Sequence, residues 1–335
     1  MSGQAIRLNR FAPSFREAAD LVDLPQRSPA EGEIAVRNHW CGVNGIFDTQ
    51  IARNAVDYVT VALPSFTGVE AIGTVEAVGS AVERFRVGDN VATVRFGGGY
   101  RTANIAPADR FVAVPGPEPA WLTLASTGVS ALLALEQVGE AKQGETVAVS
   151  AAAGGLGHLI VQLAVLRGCR VVAVCGGADK AGFVRGLGAA RVIDYREESV
   201  AEVLAAEFRD GLDVAIDTVG GDIFDAFLDN LAVHGRLVVG GAATDLEGKP
   251  ALVTGPRIVH KLYYKAASVR GFMNGLLTEY WPSARDRLFQ LYRDGQICVT
   301  FDRRGFTGLT GVYDAIDWLL SGRSIGKVMV DLRSP

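Results

Sequence analysis

The run Ala151-Ala152-Ala153-Gly154-Gly155-Leu156-Gly157 carries almost no side-chain bulk. A backbone this bare lets a large anion come close, and the free amides of a helix beginning near Leu156 would meet it with the positive end of the helix dipole. A pyrophosphate suits such a turn, and Ala153, Gly154, Gly155, Leu156 and Gly157 are the residues that would hold it. The flanks supply the required context. An apolar strand starts at Thr146, helical spacing follows Gly157, and a second apolar strand, CRVVAVC, ends at Cys175. Strand, glycine turn, helix and strand together form the βαβ grip for a dinucleotide.

The tip of that second strand selects the nucleotide. An Asp or Glu there normally accepts the adenosine ribose hydroxyls and repels a 2′-phosphate. Here the tip is Cys175-Gly176, with Lys180 one helical turn further on. Opposite unit charges ~4 Å apart attract by about 4 kcal/mol at a protein-like dielectric, so Lys180 is enough to favour NADPH. Asp179 opposes this unless it serves the first turn of the next helix, where a carboxylate complements the dipole. Tyr195, after the strand in ARVIDYRE, could give its phenol to the same phosphate or pack on the sheet edge.

These residues need a sheet to position them. Apolar runs near 190–193, 212–217, 236–240 and 268–272 alternate with helical spacing around Val200, Phe224 and Arg287. With the first two strands they predict six parallel strands with helices on both faces, a doubly wound α/β sheet. Residues 5–114 read instead as short, glycine-rich alternating strands, and 121–138 as a connecting helix. The chain therefore divides into a β-rich domain over 1–122, completed by 295–335, and a dinucleotide-binding domain over 123–294. A length of 335 residues supports two cores. The stretch 242–264, with turn formers at Asp245, Gly248, Pro250, Gly255 and Pro256, reads as a lid or binding loop in which Tyr263 and Tyr264 could line a pocket.

Composition excludes several classes. A formal charge of −4 argues against a nucleic-acid partner. The first fifteen residues lack a secretion signal's apolar core, and the most apolar stretch is broken by His158, Arg167 and Arg170, so no membrane span and a cytoplasmic location are expected. Cys41, Cys169, Cys175 and Cys298 are scattered, as free thiols in a reducing compartment would be. His39, His158, His234 and His260 also lack companions at metal-binding spacing, and no metal site is expected.

The motifs CGVNGIFD (41–48), GVEAIGTVEAVG (68–79), VGDNVA (87–92), AAAGGLG (151–157), DTVGG (217–221), VRGF (269–272) and GKVMV (326–330) together resemble the medium-chain dehydrogenase/reductase superfamily over the whole chain. Within it the sequence is most similar to the zinc-independent quinone oxidoreductase branch and its enone reductases of the prostaglandin reductase type. The resemblance implies a GroES-like catalytic domain beside a Rossmann domain. Where zinc alcohol dehydrogenases of the family have a cysteine, this chain has Asn44, and where they have a histidine it has Val69. Neither replacement is a normal zinc ligand, and the four-cysteine structural lobe is missing.

The same resemblance places Asn44 beside the nicotinamide ribose and Tyr58 at a pocket position, as the catalytic candidates. It further implies cofactor contacts at Ser130, Val219, Gly240, Phe272, Met273 and Lys327. Leu132 and Ser324 depart from residues common in the family, so the substrate pocket is expected to differ from its relatives. The activity implied is NADPH-dependent reduction of the activated C=C bond of an enone or enal. Quinone reduction is the alternative, and a binding protein that holds NADPH without turnover is the second. A homodimer formed by extending the cofactor sheets is implied by the resemblance alone.

Overall fold

The structure, a computed structural model, describes residues 1–55, 60–244 and 252–333. Its strands before the glycine turn are β1 (Gly3–Leu8), β2 (Ala19–Leu24), β3 (Glu33–Gly42), β4 (Ser65–Phe66), β5 (Glu70–Val78), β6 (Asn90–Val94), β7 (Ala103–Pro107) and β8 (Phe111–Ala113). After it come β9 (Thr146–Val149), β10 (Arg170–Cys175), β11 (Arg191–Asp194), β12 (Leu212–Asp217), β13 (Leu231–Val239) and β14 (Ser268–Gly271). The chain closes through β15 (Phe306–Thr307) and β16 (Met329–Asp331). Contacts divide it into two compact units, Met1–Ser126 with Phe301–Pro335, and Thr127–Thr300.

The first unit is built on a sheet of order β15-β16-β3-β5-β6-β8, with β7 also pairing β3, and a three-stranded sheet β2-β1-β4. Its central strand β3 is long and largely buried because IAV and CG supply apolar or small residues at the core positions. Ile6, Leu8, Phe15, Cys41, Val43, Ile51, Tyr100, Phe306, Val312 and Val330 form one core cluster. A second gathers Ile34, Val36, Val75, Phe85, Val91 and Phe111. Register decides which polar residues meet. Gly42 of β3 lies opposite Glu70 of β5 and Met329 of β16. Asn44, Glu70 and Lys327 are thereby delivered to one end of the sheet from distant parts of the sequence.

The second unit carries the predicted six-stranded sheet, in the order β11-β10-β9-β12-β13-β14, with every pairing parallel. The central strands β9, β10 and β12 are short apolar runs largely buried on both faces, as a sheet covered by helices requires. Helices follow at Gly157–Leu166, Ala178–Gly186, Val200–Glu207, Gly221–Asp229 and Trp281–Arg293. The first is buried from Gly157 through Ala164, which explains why its sequence is apolar all round. Ser199 starts the third by accepting the Glu202 amide at 3.4 Å. Chain order reverses at β9 and β12, so the carboxyl ends of these neighbours open the crevice where such sheets bind ligands. Among the described residues no helix is long and apolar enough to cross a membrane.

The connecting segment differs from its expectation in one respect. Pro119–Thr123 and Val129–Leu133 are α-helical, but Leu124–Gly128 and Ala134–Val138 widen into π-turns. Apolar spacing near three or four cannot tell the two apart, because they differ by one residue in hydrogen-bond partner.

Candidate active site

The glycine turn joins β9 to the helix Gly157–Leu166. The Ala152 amide donates to Val174 O at 3.0 Å and so fastens the turn to β10. Ala151 takes φ 46°, a left-handed backbone that costs an L-residue about 1 kcal/mol. The glycines differ in what they permit. A Cβ on Gly157 would stand 2.3 Å from Ala151 O and 2.7 Å from Ala152 Cα, so this glycine allows helix and strand to touch. On Gly154 it would meet only Ala151 O, at 3.2 Å. Ala153 is buried, whereas Gly154, Gly155 and Leu156 remain partly accessible. No side chain caps the helix at Leu156. Bare, partly exposed backbone leading into an uncapped helix fits a dinucleotide's pyrophosphate.

At the tip of β10 three of the predicted residues come together. Tyr195 donates its amide to Cys175 O at 3.1 Å, and its ring lies where a Gly176 Cβ would be, within 2.5 Å of that position. Gly176 is therefore required by Tyr195, and the phenol is placed over the strand tip with half its surface exposed. Burial, the largest cause, together with Asp194 pushes the Cys175 thiol up to about 11, so it is not a thiolate at neutral pH. Lys180 and Asp179 share the first turn of the helix Ala178–Gly186. Lys180 lies close enough to Cys175 to oppose that rise. Sequence reasoning passed over Arg196, whose Nη1 lies 3.5 Å from the place of a Gly177 Cβ, beside the same tip. Its signal was the cation following Tyr195 in DYRE.

The neighbouring strand ends are held by a buried carboxylate. Asp217 is fully buried at the end of β12 and accepts Ser150 Oγ at 2.6 Å, Val219 N at 3.0 Å and Gly220 N at 2.9 Å. Ser150 Oγ in turn accepts the Thr218 amide. Val219 is fixed by these bonds, and Gly240 by its amide on Asp217 O at 2.7 Å. Phe272 reaches the same edge, 3.6 Å from the place of a Gly240 Cβ. Met273 follows it with 41% of its surface exposed. Asn274 then donates to Ser130 Oγ at 2.9 Å, so Ser130 joins this end of the group.

In the first unit Asn44 sits in a network the sequence only partly revealed. Lys327 and Glu70 are 4% and 0% exposed and form an ion pair at 2.5 Å. Lys327 Nζ also donates to Asn44 Oδ1 at 3.0 Å and Val43 O at 3.2 Å. Asn44 Nδ2 donates to Glu70 Oε1 at 3.2 Å. The amide is held on both sides, which fixes its orientation. A Cβ at Gly42 would stand 2.1 Å from Glu70 Oε1, so this glycine makes room for the carboxylate. One turn beyond Asn44, buried Asp48 accepts Tyr100 Oη–H at 2.5 Å and the Asn44 amide at 3.3 Å, while its Oδ1 has no partner among the described residues. Desolvation pushes the Asp48 carboxyl up to about 7. Burial and Asp48 likewise push the Tyr100 phenol well above its ordinary value. Tyr58 lies outside the described residues.

Lys327 thus stands with Asn44, its amine committed to Glu70. Asn44 and Val69 offer no zinc donor, and the Lys327 side chain already occupies Glu70. Among the described residues no three His, Cys, Asp or Glu side chains gather to hold a metal. This donor set does not fit a zinc ion.

Two family models match the chain. The alcohol dehydrogenase GroES-like domain covers residues 30–116, and the zinc-binding dehydrogenase domain covers 155–290. Prostaglandin reductase-3 of Mus musculus is 35% identical over 99% of this chain and 90% of its own length. A probable quinone oxidoreductase of Leishmania amazonensis is 33% identical over 96% of both chains. Among solved structures, a quinone oxidoreductase of Escherichia coli complexed with NADPH superposes with a TM-score of 0.84 at 28% identity, covering 98% of this chain and 99% of that one.

Proposed function

This chain belongs to the medium-chain dehydrogenase/reductase superfamily, and from that premise we propose an NADPH-dependent reductase, working without zinc, that reduces the activated C=C bond of α,β-unsaturated ketones and aldehydes. The observation that carries this reading is the gathering of Gly176, Tyr195, Lys180 and Arg196 at a strand tip whose own last residue, Cys175, is no carboxylate and where Asp194 is committed to the Gly177 and Arg196 amides, beside an uncapped glycine turn. When bound, the nicotinamide supplies a hydride to the carbon β to the carbonyl.

The chain's own residues bind, orient and stabilise. Backbone amides from Ala153 to Gly157 receive the pyrophosphate, and Lys180, Tyr195 and Arg196 receive the 2′-phosphate. Ser130, Val219, Gly240, Phe272 and Met273 form the apolar and main-chain edge for the nicotinamide end. Lys327 acts through Asn44, which it holds in one orientation. Asn44 has two amide hydrogens, and among the described residues its Nδ2 donates to Glu70 alone. The second, or the Tyr58 hydroxyl, donates to the oxygen on which negative charge develops. A preorganised donor of this kind contributes about 2.7–4 kcal/mol. Solvent returns the final proton.

Reduction of quinones is the second reading, favoured by the name of the Leishmania amazonensis relative. Deuterated NADPH separates the two. Label recovered on the β-carbon of a saturated ketone supports enone reduction, whereas a hydroquinone with no such product would replace it. Tight NADPH binding with no oxidation of it by any enal, enone or quinone would instead identify a binding protein. A homodimer through the outer edge of β14, where Val269 is exposed, is also part of the proposal, and a monomer mass independent of concentration in light scattering would refute it.

A further inference from the structure

A cavity of about 250 Å3 in the first unit lies outside the machinery described above. Its wall includes Arg95, Arg101, Arg110 and Asn104, with the rings of Phe66 and Phe96, and among the described residues no acidic side chain lines it. Arg101 is the informative member. Its guanidinium rests 4.4 Å from the centre of the Phe66 ring, and Nη1 reaches Asn104 Oδ1 only at 3.4 Å. Nε is buried without a hydrogen-bond partner among the described residues. Desolvation lowers its pKa, to about 10, so the group is still charged at neutral pH, and among the described residues no carboxylate offsets its burial.

Among the described residues, the two cations that are buried outright, Lys327 and Arg236, are handled differently. Lys327 lies on Glu70, and Arg236 lies on Glu145 at 2.7 Å with two backbone carbonyls completing its fork. A desolvated guanidinium without a counter-charge is unfavourable, and an anion delivered from solution would supply what the fold omits. Arg110, exposed on the same wall, adds positive charge there, so the local potential favours an anion.

We propose that this cavity binds an oxyanion, a carboxylate or a phosphate group on a small molecule, with Arg101 as the primary contact. The guanidinium fork matches both groups. The volume falls below the ~300–1,000 Å3 of drug-sized ligand sites, which excludes a dinucleotide and leaves room for one anionic group with a compact body against Phe66 and Phe96. The site also adjoins the Asn44 network. Gly97 and Gly99 donate to Gly68 O at 2.8 and 3.1 Å, two residues before Glu70, and Phe96 meets Phe47 edge-on on the helix that follows Asn44. The proposal goes beyond the reductase reading and does not depend on it.

Calorimetric titration of inorganic phosphate and of benzoate into the full-length protein, saturated with NADPH to occupy the proposed phosphate-binding residues of the second unit, tests it. At least one anion binds, its affinity falls as salt rises, and Arg101→Gln weakens it by about tenfold or more. Arg110→Ala, at an exposed position that leaves the fold untouched, weakens it less. Binding of phosphate alone identifies a phosphate-bearing ligand, and of benzoate alone a carboxylate. Failure of both anions to bind, or undiminished binding by both variants, overturns the proposal.

Discussion

In the proposed reading the second unit meets its ligand with main chain, and the first with a side chain. In the cradle, Ala153–Gly157, Val219 and Gly240 are set at strand ends by backbone bonds and by one carboxylate, Asp217, whose donors are mostly amides. Around Asn44, orientation depends on Lys327 and Glu70, two charged side chains taken out of water. The contrast shows two ways to preorganise a site. Main-chain positioning is insensitive to most side-chain changes and vulnerable where a Cβ would intrude. Side-chain positioning is vulnerable wherever one charge loses its partner, because a buried lone ion is far less stable than a buried pair.

The widest gap between the two should come from Lys327→Met. It strands Glu70, and urea unfolding should show a loss of about 3–5 kcal/mol. Adding Glu70→Gln should restore part of it; a single variant as stable as the parent would show that Asn44 is held by other means. Next comes pH. The folded-state pKa of Asp48 is raised to about 7 from an ordinary 3.8, so the native state binds the extra proton between those values. Stability should therefore fall as pH rises from about 4 to 7, by up to a few kcal/mol, and Asp48→Asn should flatten that slope in denaturation series. An unchanged slope would remove Asp48 from the account.

Smaller effects belong to the cradle. Gly157→Ala should cost about 1–3 kcal/mol and weaken NADPH binding, since its Cβ meets backbone, whereas Gly154→Ala should be milder. Fluorescence titration that ranks the two the other way would reverse the roles given to these glycines. Lys180→Gln should raise the Kd for NADPH about tenfold and leave that for NADH unchanged, which measures a single charge on the 2′-phosphate. Equal losses for both nucleotides would place the lysine elsewhere.

The same division governs what could be read in advance. The six parallel strands were legible because each is a short apolar run followed by a periodic helix, and the glycine turn because strand, turn and helix are contiguous. Cys175, Gly176 and Tyr195 were foreseen as neighbours by chain order in a parallel sheet. Arg196 was not, because a cation after a strand usually points to solvent. The partners of Asn44 were largely hidden. Glu70 lies 26 positions away and Lys327 283 positions away, and nothing local in GKVMV announces that its lysine is buried.

Sequence alone therefore determined the class of fold, the place of the glycine turn and the missing carboxylate at the tip of β10, since each depends on residues close together in the chain. Tertiary structure decided that a lysine just before the last strand would hold Asn44, that Asp48 would be buried beside it, and that Arg101 would bury its Nε with no counter-charge among the described residues. Those are consequences of register between remote strands and of desolvation. Neither is encoded in any short segment, because both depend on what the rest of the chain excludes from water.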